Sequence, residues 1–414
     1  MAQPPLISSG TVDIAPQRPL MLGGFAKRSA PFRGIADRLE ANVLVVRGVS
    51  SRAVIVTTDL LYPGETLRAL LLENLGLAEK AEELFLSASH THFAPMTAPS
   101  MPRLGIADAG YVRYVFGQIA ALIKSIEEAG APCDCTYHEG HADHSMNRRL
   151  VRLRLTRSGL AKSAGFGPNP KGERDEGVRI LKFSKPGGEP VAVIWNYACH
   201  PSGFHDHLQI SAEYPGVVRS RLRSEFGNIP ILFLQGFSGD VRPPFAGMPS
   251  GVGGLARRVL LGPQFRIPKK DEWERWSNSL AGCVTSIARS SPTRLEISSP
   301  VLKRVEIPEP EFAAGDGGYK SLFWHVLDCG GFRIVGINAE PVVEYRRLIE
   351  KYLTGAPFLT AGCLDQTHCY LPSDAMVPVR GHEVDGFRPL LGFDARFRAR
   401  LQDSVISGLK EALT

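Results

Sequence analysis

Nothing in the sequence approaches the roughly 18 uninterrupted apolar residues that a membrane-spanning helix requires. Residues 1–10 also lack a basic segment followed by an apolar core, the pattern of a secretory leader. A cytoplasmic protein without stable membrane insertion is therefore expected. Long Lys/Arg runs are missing too, and a net charge of +6 is modest for 414 residues, so nucleic acid is not expected as a partner. There are no internal repeats, low-complexity tracts or clear linkers, which argues against a solenoid and for one elaborate domain over 1–414. The seven cysteines are odd in number and scattered. Only Cys133 and Cys135 lie close together, too tightly for a zinc ribbon, so reduced thiols are expected in place of a disulfide framework. Whether the chain forms a homo-oligomer is left open.

What is present is ordinary globular material, 43% hydrophobic and 22% charged, enough to bury a large core. Val43 to Arg47 and Ala53 to Thr58 are β-rich runs around a short turn and predict a hairpin. Val178 to Phe183 with Val191 to Tyr197, and Leu322 to Leu327 with Phe332 to Asn338, predict two more. Between them, Val112, Val115, Phe116, Ile119, Ile123 and Ile126 recur at helical spacing ahead of Gly130. Phe397, Leu401, Val405, Leu409 and Leu413 form a similar stripe. Hairpins interspersed with core-facing helices predict an α/β fold with a mixed β-sheet core flanked by helices. The Gly- and Pro-rich stretch 242–268 is expected to be a large loop.

Polar chemistry gathers where apolar runs end. Leu84 to His92 closes on Ser-Ala-Ser-His90-Thr-His92, and another run closes on Trp-Asn-Tyr-Ala-Cys-His200-Pro. If the first is extended, His90 and His92 share a face by strand alternation, which suits one ligand and one catalytic neighbour. Ile231 to Leu234 leads into Gly239-Asp240-Val241-Arg242, and Ile334 to Ile337 into Asn338-Ala339-Glu340. Carboxyl ends of strands are where open α/β sheets build their sites. His90, His200 and Glu340 have the donors a catalytic zinc needs, although their spacing does not prove a shared ion. Ordinary hydrogen-bonded histidines and a glutamate at a helix start remain the alternative. His205-Asp206-His207 and the trio His138, His141 and His144 read as solvated loops ahead of further metal sites. Asp59, at a strand end, reads either as an acceptor orienting a ligand histidine or as a cap.

The ordered set Ser-Ala-Ser-His90-Thr-His92 with Pro95, Asn147-Arg148, Asn196-Tyr197-Ala198-Cys199-His200-Pro201, Gly239-Asp240-Val241 and Glu340 resembles the catalytic domain of neutral/alkaline nonlysosomal ceramidases. Thr11-Val12-Asp13-Ile14, Met21-Leu22-Gly23-Gly24 and Thr58-Asp59-Leu60 resemble that family's opening. The resemblance implies zinc held by His90, His200, Glu340 and Tyr370, the last placed by Gly362-x-x-x-Gln366-x-x-x-Tyr370. It implies that His92 and Asp240 belong to the catalytic apparatus and that Arg148 contacts substrate. One departure stands out: the family continues Gly-Asp-Val with serine, and this chain has Arg242. A guanidinium has five donors and no acceptor, so it cannot replace a hydroxyl. The sequence also ends soon after Tyr370, without the immunoglobulin-like domain of typical ceramidases, which makes a lipid substrate less expected.

The expectation is a zinc-dependent amidohydrolase that cleaves a C–N bond with metal-activated water. Arg148 and Arg242 would place a small polar substrate, anionic if Arg242 grips a carboxylate or phosphate. A structural salt bridge from Arg242 to Asp240 or another acid is the alternative use of that residue. The competing functions are a true ceramidase acting on N-acyl sphingosine, a zinc esterase or lactonase, and a metal-stabilised binding protein without catalysis.

Overall fold

Strand alternation sorts the side chains of this chain into an inner and an outer core. The computed structural model describes residues 4–414 except 27, 78–79, 157–158, 249–261 and 316–319, with backbone alone at 154–156. In the strand Glu40–Arg47, Val43 and Val45 face the helices Glu65–Asn74 and Ala109–Ile126, while Leu44 and Val46 face inward. The inner core joins Leu44, Val46 and Phe85 to Leu181, Phe183 and Ile194 and to Leu327, Phe332 and Ile334. Those three groups come from three different sheets.

The first sheet runs in the order Leu84–Ala88, Arg52–Thr58, Glu40–Arg47, Leu6–Asp13, Ala131–Pro132. In the second the order is Ile231–Gln235, Pro190–Tyr197, Gly177–Ser184, Asp134–His141, Thr293–Leu295. The third has Ile297–Ile307, Leu322–Gly330, Arg333–Ile337, Phe358–Ala361. Outer faces are covered by helices: Glu213–Phe226 and Lys270–Arg289 over the second sheet, Glu344–Glu350 and Leu401–Leu413 over the third. The expected α/β architecture is therefore present, with three mixed sheets sharing one inner core.

All three expected hairpins form, with Val45 opposite Val54, Leu181 opposite Ile194 and Val326 opposite Val335. The helix expected from Val112 to Ile126 spans Ala109–Ile126 and is capped by Asp108, whose carboxylate accepts the Tyr111 N–H at 2.8 Å. Each sheet also holds one parallel pair at its edge: Arg52–Thr58 with Leu84–Ala88, Pro190–Tyr197 with Ile231–Gln235, and Arg333–Ile337 with Phe358–Ala361. The carboxyl ends of these six strands are the positions from which the polar motifs emerge. The middle of the expected 242–268 loop, residues 249–261, lies outside the described residues. Its flanks pair as Ala246–Gly247 with Gln264–Phe265.

The helix Glu213–Phe226 begins on a buried carboxylate in the left-handed region, φ 63°. Glu213 accepts the N–H groups of Gly203 and Tyr214, both at 2.6 Å, and the Trp273 indole N–H at 3.4 Å. Burial nevertheless pushes its carboxyl from 4.5 up to about 7. A raised carboxyl binds its proton more tightly in the folded chain. Its contribution is therefore complete below pH 4.5 and is lost as pH rises towards 7, by an amount on the order of 3 kcal/mol. Urea midpoints at pH 5 and pH 8 should differ in that direction, and Glu213→Gln should flatten the difference. An equal slope in both proteins would refute this assignment.

Candidate metal and substrate site

Strand Leu84–Ala88 stops two residues before His90, which has φ 64°. His90 and His92 therefore do not share a face by strand alternation, as the sequence suggested. A left-handed residue turns the chain instead, and the two rings meet edge-on with centroids 5.0 Å apart. His200 arrives from the end of Pro190–Tyr197, its ring 4.8 Å from that of His90 and 5.9 Å from that of His92. The ligand-capable atoms of these three histidines all lie within 4.8 Å of one another.

Their protonation follows from their outer partners. His90 Nδ1 faces the Leu61 carbonyl at 3.0 Å, His92 Nδ1 the Gly24 carbonyl at 3.1 Å, and His200 Nδ1 those of Ser238 and Val241 at 2.8 and 3.1 Å. A carbonyl oxygen only accepts, so each Nδ1 carries the hydrogen and each neutral ring keeps its lone pair on Nε2. Glu340 adds a fourth acceptor: its Oε2 lies 3.0 Å from His200 Nε2 and 3.4 Å from His90 Nε2. Buried lone pairs that face one another in this way require a cation between them, a proton or a metal ion. Burial works against charge on His90, but Cys363 and Glu340 hold it protonated well above its ordinary range. His92 is held well below that range by burial, and His200 falls to about 4 through burial and the nearby Arg148. Burial also opposes the Glu340 charge, yet His90 and His200 keep its carboxyl well below the usual range. The donor set fits a divalent ion such as zinc.

Tyr370 completes one side. Its hydroxyl is 3.4 Å from His200 Nε2, and the strand Glu340–Pro341 pairs directly with Tyr370–Leu371. The pocket above the cluster, about 170 Å³, is lined by His90, His92, Arg148, His200, Arg242, Glu340 and Tyr370. Asp240 does not line it. One carboxylate oxygen of Asp240 accepts the Val343 N–H and the other the Asn147 amide, both at 2.9 Å. It is a buried brace behind the pocket, and its carboxyl is pushed up to about 6 by burial. The structure thus places Asp240 behind the pocket wall, with each carboxylate oxygen already accepting one hydrogen bond. Asp240 also makes no salt bridge with Arg242. Arg242 forms no ion pair among the described residues.

Four contributors gave little or no signal in the sequence. Tyr62, beyond the Thr58-Asp59-Leu60 motif, donates its hydroxyl to Glu340 Oε1 at 2.5 Å. Glu383 sits in the π-helical turn His382–Gly386 and binds Arg148 at 3.0 Å and Arg149 at 2.6 Å. Phe166 and His382 line the pocket wall. Ser238 lies behind His200, bonded to Gln235, and does not face the pocket. Asp59 orients no histidine; it accepts Arg219 at 2.7 Å and the Glu40 N–H at 2.9 Å. His138 is buried in a strand rather than placed in a loop, and His144 bonds Ser279 at 3.0 Å, so the 138–144 trio does not converge. His205 packs on Phe204 while His207 stacks on Phe25. The thiols of Cys133 and Cys135 are buried, and all seven cysteines are free.

No protein-family model matches the chain. Among solved structures, neutral ceramidase from Pseudomonas aeruginosa superposes with a TM-score of 0.72 over 99% of this chain and 75% of that one, at 15% identity. The fold is that of a neutral ceramidase. A ceramidase complexed with C2 superposes similarly, with a TM-score of 0.73 over 99% of this chain and 74% of its own, at 14% identity. No helix among the described residues of this ceramidase-like chain is long and apolar enough to cross a membrane.

Gly24 shows how tightly the cluster is framed. Its φ is 94°, and a Cβ there would stand 2.6 Å from His92 Nδ1. Gly24→Ala is expected to cost about 1–3 kcal/mol and to displace the ring. Any turnover that uses His92 should fall on the order of 100-fold. Urea unfolding and steady-state kinetics check both, and unchanged values would show that the ring is not held from this side.

Proposed function

We propose that this chain is a zinc-dependent hydrolase of C–N amide bonds acting on a small polar, anionic substrate. The observation that carries the proposal is the convergence of three Nε2 lone pairs and the Glu340 carboxylate at the floor of a pocket with two arginines on its wall. When bound, a divalent ion supplies Lewis acidity and a nucleophile at neutral pH. His90, His200, Glu340 and Tyr370 would hold it. His92 has spent its one N–H on Gly24, so its buried Nε2, which has no hydrogen-bond partner among the described residues, can accept a proton but cannot donate to an oxyanion before doing so. Arg148 is the fixed donor: Glu383 and the Gly239 carbonyl, the latter at 2.6 Å, aim its guanidinium into the pocket. A permanent cation placed in this way suits the oxygen on which charge develops.

The pocket is smaller than the roughly 300–1,000 Å³ typical of sites for drug-sized ligands, which favours a compact substrate over two long alkyl chains. The inner core shared by all three sheets supports reading 1–414 as one ceramidase-like domain. A panel of matched short-chain amides, esters and N-acyl sphingosine tests the proposal on protein stripped with chelator and reloaded with zinc. Amide cleavage that requires zinc and disappears in His90→Ala is the expected result. Turnover of esters alone would make the chain an esterase or lactonase, turnover of the sphingolipid alone a ceramidase. Ligand binding without product would make it a binding protein.

A further inference from the structure

Phe25, Phe166, Ser202 and Arg242 line both the metal-facing pocket and a neighbouring cavity of about 230 Å³. Arg242 stands where the two chambers join. Its guanidinium lies over the rings of Phe265 and Phe166, with centroids 4.7 and 5.6 Å away. Among the described residues it donates only to the Ser202 carbonyl, at 3.3 Å, and its buried Nε has no partner there. Among the described residues the other guanidiniums near this wall are spent: Arg148 and Arg149 share Glu383, and Arg266 grips both oxygens of Glu272 at 2.6 and 2.8 Å. Burial and Arg148 lower the Arg242 pKa to about 10, so the group is charged and poorly solvated, and it has no ion pair among the described residues. One guanidinium without an ion pair among the described residues matches a monoanionic, planar carboxylate better than a phosphate dianion, which would call for a second cation.

The second chamber has aromatic walls. Phe25 and His207 stack at 4.6 Å, and Phe204 and Phe265 form further wall. Such a cavity favours one flat ring over a flexible chain. Amide at the metal-facing floor, carboxylate at the junction and ring beyond it is the order of groups around one carbon atom. That carbon carries the amide nitrogen, a carboxylate and an arylmethyl group.

Resting on the amide-hydrolase reading above, we propose that the substrate is an N-acyl aromatic α-amino acid with a short acyl group, its carboxylate seated on Arg242 and its ring in the Phe25/Phe265 chamber. In its hydrolysis the C–N bond breaks, a C–O bond to the oxygen of water forms, and the leaving nitrogen takes up a proton. The products are a short carboxylic acid and an aromatic amino acid.

Two arms test this with the full chain. The first needs no metal and no turnover: calorimetry of 3-phenylpropanoate, 3-phenylpropanol and propanoate binding to chelator-treated protein. The phenylpropanoate should bind at least tenfold more tightly than either of the others, and Arg242→Gln and Phe265→Leu should each remove most of that advantage. Arg242→Lys, which keeps the charge but not the fork, should retain only part of it. Equal affinities for acid and alcohol in the unmodified protein, no binding at all, or an advantage that survives Arg242→Gln would each overturn the subsite. The second arm compares zinc-loaded turnover of N-acetylphenylalanine, N-acetylphenylalaninamide and N-acetylalanine, where KM should rise roughly 10- to 100-fold on losing the charge. Phenylpropanoate binding as expected with no amide cleaved would leave the subsite standing and the hydrolase reading refuted. Cleavage that ignores both carboxylate and ring would do the reverse.

Discussion

Glu340→Gln should lower zinc affinity on the order of 10- to 100-fold or more while leaving the metal-free fold intact. The asymmetry comes from the tautomers. Glu340 Oε2 stands 3.0 and 3.4 Å from two Nε2 lone pairs, an arrangement that is satisfied only with a cation present. A glutamine amide can donate its N–H hydrogens to those same lone pairs, so the substitution stabilises the empty cluster and removes the charge that attracts an ion. Metal content after dialysis against a zinc buffer, together with a urea titration of the chelated protein, reads both halves. His92→Ala belongs beside it, because the close histidine group includes His92 while the set implied by the ceramidase resemblance does not. If Glu340→Gln keeps its zinc and His92→Ala loses it, the three histidines are the ligands and Glu340 is a neighbour. The opposite outcome assigns the ion to His90, His200, Glu340 and Tyr370.

Removing the carboxylate of Glu383 altogether should be the most destabilising single change at the site. Glu383→Ala would leave Arg148 and Arg149, each less than a tenth exposed, without their shared acid. Breaking one side of a buried ion pair typically costs roughly 3–5 kcal/mol, because the surviving charge stays desolvated. Two arginines depend on this one carboxylate, and Arg148 keeps only backbone and hydroxyl partners beside it. Urea unfolding measures the loss, and one below about 1 kcal/mol would contradict the argument. Glu383→Gln should cost less in stability and still raise KM, since Arg148 would be aimed less firmly into the pocket. The two variants together separate folding from positioning.

Much of the architecture could be read before any coordinates. Alternation around Gly48, Gly187-Gly188 and Gly330-Gly331 marks the three hairpins, because pairing between neighbouring segments is governed by turn chemistry and two-residue periodicity. The stripe from Val112 to Ile126 marks a helix for the same local reason. The motif histidines also stand at strand ends, as the apolar runs before them suggested. Asp240 shows the limit of such reasoning. Its motif could be read from the sequence, but the contact of its carboxylate with Val343, more than a hundred positions away in the chain, could not.

The order of chemistry along the chain was therefore written in residue type and spacing: imidazoles after two strands, a carboxylate after another, and an arginine after Gly239-Asp240-Val241. Tertiary structure alone decided which of these groups meet. The left-handed turn at His90, the Tyr62 hydroxyl on Glu340, the Glu383 clasp on two arginines and the seat of Arg242 over Phe166 and Phe265 are settled only in the folded chain. Side-chain periodicity reports the face on which a residue lies, but hydrogen-bond saturation is a property of everything packed against it.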